Sequence, residues 1–510
     1  MNSLVPLFVI IPLGSAFLMA IFGRIIKGFN KVLLPLALLF LTYLSIKFLL
    51  GAEGTITYQV GGFAPVAGVP IAIYLAVDGL SRLMLTIISL IGFLACFYSI
   101  SYINIYTAER KYLILFSLMI AGMNGIVISG DIFNIFVFLE IASIASYALV
   151  AFGIDRQELE ASFKYQVLGG VASLLILFSI GFLYWRTGTL NIADISTQLP
   201  YGGIFVKFIA MVFLVGFGLK AAIFPFHSWL PDAHSSAPSP ISAMLSGVLI
   251  KAVGLYVIFR LFFNMFALSH QIAMIITVLG TLSMVIGGLL AIGQWDIKRL
   301  LAYSSISQVG YIILGVGIGM LILSRQGNTA VASLAIIGGI FHLLNHSVFK
   351  SLLFLSAGAV EFRTGERNMK KLGGLAEVLP VTSSTSMIAS LSISGLPPFN
   401  GFFSKLLIII AAVQAGYYLL ALLAVIISIV TIGYFMKMQK FTFFNRSRVF
   451  WQDRNIREVP FVMCFSMIIL ALLCFALSLL MIPSLRDVVL TPAVNVLVEG
   501  LKYTNAVLGY

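Results

Sequence analysis

Charge is scarce in this chain. Only 10% of its 510 residues are Asp, Glu, Lys or Arg, while 60% are apolar, a balance outside that of soluble globular domains. The surrounding solvent is therefore lipid. Cysteine is scarcer still: Cys96, Cys464 and Cys474 are too few and too scattered for a disulfide framework, a zinc site or an iron–sulfur cluster. They read as small packing residues. Met1 to Ile10 contains no Lys or Arg, so the charged start of a cleaved signal peptide is missing and the first apolar run is expected to stay in the protein. With no ligand cluster for a metal or redox group, neither a cofactor nor a catalytic redox centre is expected in this chain.

What is present is a succession of apolar runs. A hydrocarbon core of ~30 Å takes about 20 residues of helix, and such runs fall near 3–23, 30–50, 75–101, 112–130, 131–152, 163–185 and 204–232. They continue near 240–262, 271–293, 299–323, 330–360, 379–414 with an interruption, 416–437 and 458–482. The fold class this predicts is an all-α polytopic membrane protein of about fourteen helices. The loops after odd-numbered helices hold 19 of the 31 Lys and Arg residues, including Arg24, Lys27, Lys31, the group Arg363, Arg367, Lys370, Lys371, and six from Lys437 to Arg457. The opposite side holds 7, and 5 lie within helices. By the positive-inside rule the odd loops are cytoplasmic and both termini face outward. The net charge of +13 is thus a topology signal, and no nucleic-acid partner is expected.

Against this background several residues are out of place. A charge at the bilayer centre costs ~2.5 to 3.5 kcal/mol on insertion scales. Glu140 lies about 14 Å into its helix and Lys251 about 17 Å, at 1.5 Å per residue, so both are near the midplane. Lys220, Lys350 and Lys405 are also too deep for easy snorkelling. Buried ion pairs kept for packing are the plain alternative, but four lysines cannot all be neutralised by one central glutamate. His342, His346 and Lys350 follow one another at one-turn spacing on one helix face. Without a nearby Glu or Cys to complete a metal site, that ladder suits proton relay, because imidazole titrates near neutral pH.

Two helices are interrupted where this chemistry needs polar surroundings. Lys220 precedes Pro225 in GLKAAIFPFHSWLPDAH, and Lys405 follows Pro397 and Pro398 in SGLPPFNGFFSK. Lipid tolerates the freed backbone groups only where they face protein or a cavity. The breaks are five helices apart, and an odd-numbered repeat must insert upside down, so helices 4–8 and 9–13 read as inverted repeats. The expected divisions are 1–111 for helices 1 to 3, 112–262 and 263–437 for the two repeats, and 438–510 for a basic loop, the last helix and a short outer tail. Asp78 and Arg82 read as a structural i, i+4 pair. His227, Asp232 and His234, at the cytoplasmic end of helix 7, are candidates for proton access as much as for a solvated turn.

These segments, together with GDIFNIFVFLEI around Glu140, SAPSPISAMLSGVLIK ending at Lys251 and HLLNHSVFKSLLFL around Lys350, resemble the antiporter-like subunits shared by complex I, Mrp-type sodium/proton antiporters and membrane-bound hydrogenases. The resemblance spans nearly the whole chain. It implies a proton pathway through Glu140, Lys220, Lys251, His342, His346, Lys350 and Lys405 along a hydrated central axis. The segment around Glu140 is most similar to the Mrp D branch, and the 28 residues after 482 are too few for the long lateral helix of one complex I subunit. The expected partners are other membrane subunits of an antiporter or hydrogenase-type complex, with protons moved and sodium left open as a second cation. The alternatives are a proton-pumping complex I subunit or an independent solute/proton carrier.

Overall fold

The computed structural model describes residues 1–51, 54–63, 70–106, 108–199, 203–446 and 456–508. Two of the six basic residues in the last odd loop, Arg448 and Arg454, lie outside these. Among the described residues twelve helices are long and apolar enough to cross a membrane. The first six are α1 (Leu7–Phe22), α2 (Phe29–Gly51), α3 (Gly79–Tyr102), α4 (Glu109–Ile128), α5 (Ile132–Val150) and α6 (Arg156–Thr187). An interrupted pair follows, α7a (Ile204–Lys220) and α7b (Trp229–Ser236), then α8 (Ser239–Asn264), α9 (His270–Ile292), α10 (Ile297–Ser324) and α11 (Thr329–Thr364). A second interrupted pair, α12a (Pro380–Ser394) and α12b (Asn400–Gln414), precedes α13 (Tyr418–Gln439) and α14 (Phe461–Ala476). Among the described residues the departure from all-helix is one antiparallel hairpin, β1 (Ile56–Gln59) with β2 (Tyr74–Val77), in register Ile56 to Val77.

The hydrophobic runs are sorted by what they face. The apolar windows of α8 and α10 are 100% and 94% buried inside the chain, against 33% for α13, so the first two form the interior and α13 the rim. Both helix breaks follow from local chemistry. Gly395 ends α12a with φ of 81°, a left-handed cap that glycine takes without steric penalty, and Pro397 and Pro398, which lack a backbone N–H, cannot continue the helix. At the other break Ala222 holds φ of 54°, and Pro225 lies three residues on.

Two loops carry the same backbone staple. Asp131 caps α5, its Oδ1 accepting from the Asn134 amide at 2.7 Å, and pairs antiparallel with Asn191. Asp296 caps α10, its Oδ1 accepting from the Arg299 amide at 2.9 Å, and pairs antiparallel with Asn368. The asparagines follow equivalent helix ends, Thr187-Gly188 after α6 and Thr364-Gly365 after α11, with glycine φ of 68° and 67°.

One buried ion pair ties the early helices to the C-terminal segment. Asp78, the N-cap of α3, takes a bidentate partner from α8: Arg260 Nη1 to Oδ2 at 2.6 Å and Nη2 to Oδ1 at 3.0 Å. The guanidinium also donates to Tyr256 Oη at 3.0 Å and lies 4.7 Å from the centre of the Tyr503 ring. The sequence pairs Asp78 with Arg82; in the fold Arg82 stays within electrostatic reach but turns one nitrogen to the Gly54 carbonyl. Removing one member of a buried pair strands the other charge. Asp78→Ala is therefore expected to lose ~3 to 5 kcal/mol, read as a lower unfolding midpoint in detergent, and Asp78→Leu with Arg260→Met should recover most of it. An Asp78→Ala protein as stable as the parent would show that the pair has no structural weight.

Candidate functional site

Packing of α6 against both α5 and α7a brings together the first two candidate residues. Lys220 Nζ lies 3.8 Å from Glu140 Oε1, an ion-pair contact longer than a hydrogen bond. The ammonium instead donates to Ser143 Oγ at 3.0 Å and Tyr147 Oη at 3.3 Å, while Ser173 Oγ of α6 donates to Glu140 Oε1. Lys220 is the last residue of α7a, where terminal carbonyls and the helix dipole favour a cation. Its side chain is 3% exposed and that of Glu140 31%.

Lys251 is placed by a local change of helix pitch. Leu245–Leu249 and Lys251–Leu255 are π-helical, a geometry that frequently accompanies functional sites. Lys251 Nζ donates back to the carbonyls of Ser246 at 2.8 Å and Gly247 at 2.6 Å. One turn later Gly254 packs on the backbone of Ala221, so close that a Cβ there would lie 2.7 Å from its Cα. This contact brings the Lys251 turn of α8 beside the residue that follows Lys220.

From Lys251 the site runs onto α11. His346 has Lys251, Lys350, His342 and His234 as electrostatic neighbours, and Lys350 has Lys251. His342 Nδ1 is 2.9 Å from Ser404 Oγ and Nε2 is 3.1 Å from Gln308 Oε1. The next residue on α12b, Lys405, donates to the carbonyls of Ile393 at 2.8 Å and Ser394 at 3.4 Å and to Ser428 Oγ at 3.3 Å. These carbonyls are released by the α12 break, and the ammonium sits 4.8 Å from the centre of the Tyr311 ring. Lys251, His342, His346, Lys350 and Lys405 are all buried.

The three residues near α7b are separated. His234 is fully buried and joins the interior group, its electrostatic neighbours being Lys350 and Lys251. Asp232 points to a surface cleft, paired with Lys164 at 3.1 Å and Arg299 at 2.8 Å. His227 is half-buried beside Phe224. Two positions apart on a helix lie on nearly opposite faces, which is why Asp232 and His234 part company.

Sequence reasoning missed Gln308, which holds the His342 ring, and the pair Lys298 Nζ to Glu361 Oε2 at 2.7 Å. Lys298 also donates to the Ala237 carbonyl at 3.2 Å, which places the pair beside the end of α7b. Glu361 is accessible to periodicity: it stands eleven residues beyond Lys350, about three turns along the same face. Among the described residues no cluster of three or more His, Cys, Asp or Glu suits a metal ion.

The NADH:quinone oxidoreductase/Mrp antiporter transmembrane family matches residues 129–431, and the family described as NADH-ubiquinone oxidoreductase (complex I), chain 5 N-terminus, matches residues 63–112. The D-type Na(+)/H(+) antiporter subunit of Alkalihalophilus pseudofirmus is 33% identical over 470 residues, 90% of each chain. The N-type NADH-quinone oxidoreductase subunit of Desulforudis audaxviator is 36% identical over 388 residues, 75% of this chain and 74% of its own. A chain of the Mrp complex from Dietzia sp. DQ12-45-1b superposes with a TM-score of 0.88 at 27% identity, covering 100% of this chain and 99% of that one. A chain of the membrane-bound sulfane sulfur reductase, an archaeal respiratory membrane complex, gives 0.85 at 29% identity over 99% of each. Fold and relatives together define a class, the antiporter-like subunits of multisubunit membrane complexes. This chain belongs to the NADH:quinone oxidoreductase/Mrp antiporter transmembrane family.

Proposed function

We propose that the chain moves protons as the antiporter-like subunit of an Mrp-type cation/proton antiporter, or as the equivalent subunit of a membrane-bound hydrogenase-type complex. One observation carries this reading: several buried polar atoms along the file of candidate residues have no hydrogen-bond partner in the protein. Among the described residues neither ring nitrogen of His234 or His346, nor Nζ of Lys350, nor Nε2 of Gln308 has a hydrogen-bond partner in the protein. Buried polar groups are paired in stable folds, through water where protein atoms do not reach, so the file is a place for water. Protons would pass between Glu140 and Lys220, on to Lys251, through Lys350, His346 and His342, and out near Lys405, with His234 as the access point from the α7b side.

The same reading takes the twelve spans and two interrupted helices as fourteen crossings, with both termini outside a prokaryotic plasma membrane. Helices 4–8 and 9–13, residues 112–262 and 263–437, are then inverted repeats. The paired staples support it: Asp131 with Asn191 and Asp296 with Asn368 recur five helices apart, which in a chain of fourteen crossings puts them on opposite sides of the membrane. A complex I-type pump is the second reading, favoured by the NADH-quinone oxidoreductase relative.

Affinity purification in mild detergent should return further membrane subunits, and proteoliposomes of that assembly should take up protons, followed with an internal pH dye. Nickel or iron–sulfur subunits would place it with hydrogenases, small hydrophobic partners alone with antiporters. A chain that purifies alone and transports a solute overturns the proposal.

A further inference from the structure

A groove of about 310 Å³ lies on the rim, away from the central file, between α9, the end of α10 and the start of α13. Its walls are apolar, with Met274, Val278 and Leu282 of α9 facing Leu419, Leu420 and Leu423 of α13. Met274, Val278 and Leu419 are 52%, 50% and 68% exposed. One end is different. There Arg325 Nη2 donates to His270 Nε2 at 2.8 Å, and the other ring nitrogen is 3.0 Å from Ser324 Oγ. Since arginine can only donate, Nε2 is the acceptor and Nδ1 faces Ser324.

Arg325 is exposed, and among the described residues it is not paired with a carboxylate. Tyr417 lines the same groove. Aromatic residues with Lys and Arg mark the level of the lipid headgroups. From His270 to Leu282 is twelve residues, about 18 Å of helix, close to the depth of one leaflet of a ~30 Å hydrocarbon core.

We propose that this groove is a binding site for one anionic phospholipid. Its phosphate is held by Arg325, which the His270 ring orients, and an acyl chain runs down the wall between Val278 and Leu420. A guanidinium offers phosphate two parallel donors, and a headgroup without a cation of its own is the one whose charge Arg325 neutralises, which selects an anionic lipid over a zwitterionic one. A subunit interface would also cover an apolar wall, but a groove one leaflet deep that ends in an unneutralised arginine matches the dimensions and charge of a lipid.

The test uses the chain in its membrane assembly, purified in mild detergent and analysed for retained phospholipid by mass spectrometry, then titrated with phosphatidylglycerol or phosphatidylcholine. The parent should retain phosphatidylglycerol and prefer it. Arg325→Gln should weaken its binding about tenfold, the weight of one charge-assisted contact, and Val278→Trp, which fills the groove, should abolish retention with Arg325 intact. Equal retention in the parent and both variants overturns the site, as does competition by inorganic phosphate alone. So does high-yield cross-linking of a Val278→Cys variant to a partner subunit, because protein then occupies the groove.

Discussion

Glu140→Gln is expected to leave the assembly intact and to reduce proton uptake in proteoliposomes by one to two orders of magnitude. Glutamine keeps the shape of the side chain and its contact with Ser173 Oγ, and loses only the charge facing Lys220 at 3.8 Å. Two unit charges near 4 Å attract by about 4 kcal/mol at an effective dielectric near 20. That figure is an upper bound, since the Glu140 side chain is 31% exposed, and polar surroundings weaken such pairs. The geometry adds a reason for the size of the effect. Lys220 already has Ser143 and Tyr147 as partners, so it can leave the carboxylate without losing all its hydrogen bonds. A pair that opens this easily can hand a proton onward, whereas a tight bidentate pair such as Asp78 with Arg260 cannot. Glu140→Asp, one methylene shorter, should retain part of the activity. Uptake by Glu140→Gln at the parental rate would remove this residue from the pathway.

The residues of the file are legible in the sequence because lipid penalises them so heavily. Lys251 or Lys350 in a soluble core would be one buried lysine among many unremarked positions; inside an apolar run of membrane length it cannot be overlooked. Helix positions are legible for the same reason, and the misses follow from what hydropathy does not measure. Hydropathy starts helix 6 at 163, yet the helix begins at Arg156, because Asp155 and Glu158 form a capping box that carries it beyond its apolar run. The β1–β2 hairpin is missed: β1 lies in a stretch that reads as loop and β2 takes the first residues of the run read as a helix from 75, since four-residue strands carry too little pattern to register. Arg260 falls among the loop charges by sequence, although it lies buried against Asp78, 182 residues away; no periodicity reports a contact at that separation. Gln308 is invisible too, an uncharged residue in a helix whose other polar groups are mostly serines. Most of what the sequence reveals is thus the cost of burying charge in lipid, and most of what it hides is who pairs with whom.

Lys405→Arg separates a cation that must lose its proton from one that only has to be present. Lys405 Nζ is held by the Ile393 and Ser394 carbonyls and by Ser428 Oγ, all acceptors, with the Tyr311 ring face beside it. These partners fit a positive charge of either kind, so a purely structural cation would tolerate arginine, which is less strongly hydrated and offers more donors. A relay lysine would not. Lysine releases its proton near pH 10.4 in water and arginine above 12, so deprotonation becomes at least about a hundredfold harder. The proposal therefore predicts normal assembly of Lys405→Arg with proton uptake reduced about a hundredfold. Space is the competing explanation, because Gly395 lies against the lysine stem, where a Cβ would come 3.0 Å from Lys405 Cδ. Lys405→His resolves it: imidazole is smaller than guanidinium and titrates, so it should restore part of the uptake that arginine loses. Uptake measured side by side with an internal pH dye decides the matter. Near-parental rates with arginine would show that this lysine does not titrate during transport, and failure of both variants to assemble would show that the α12 break needs lysine for its structure.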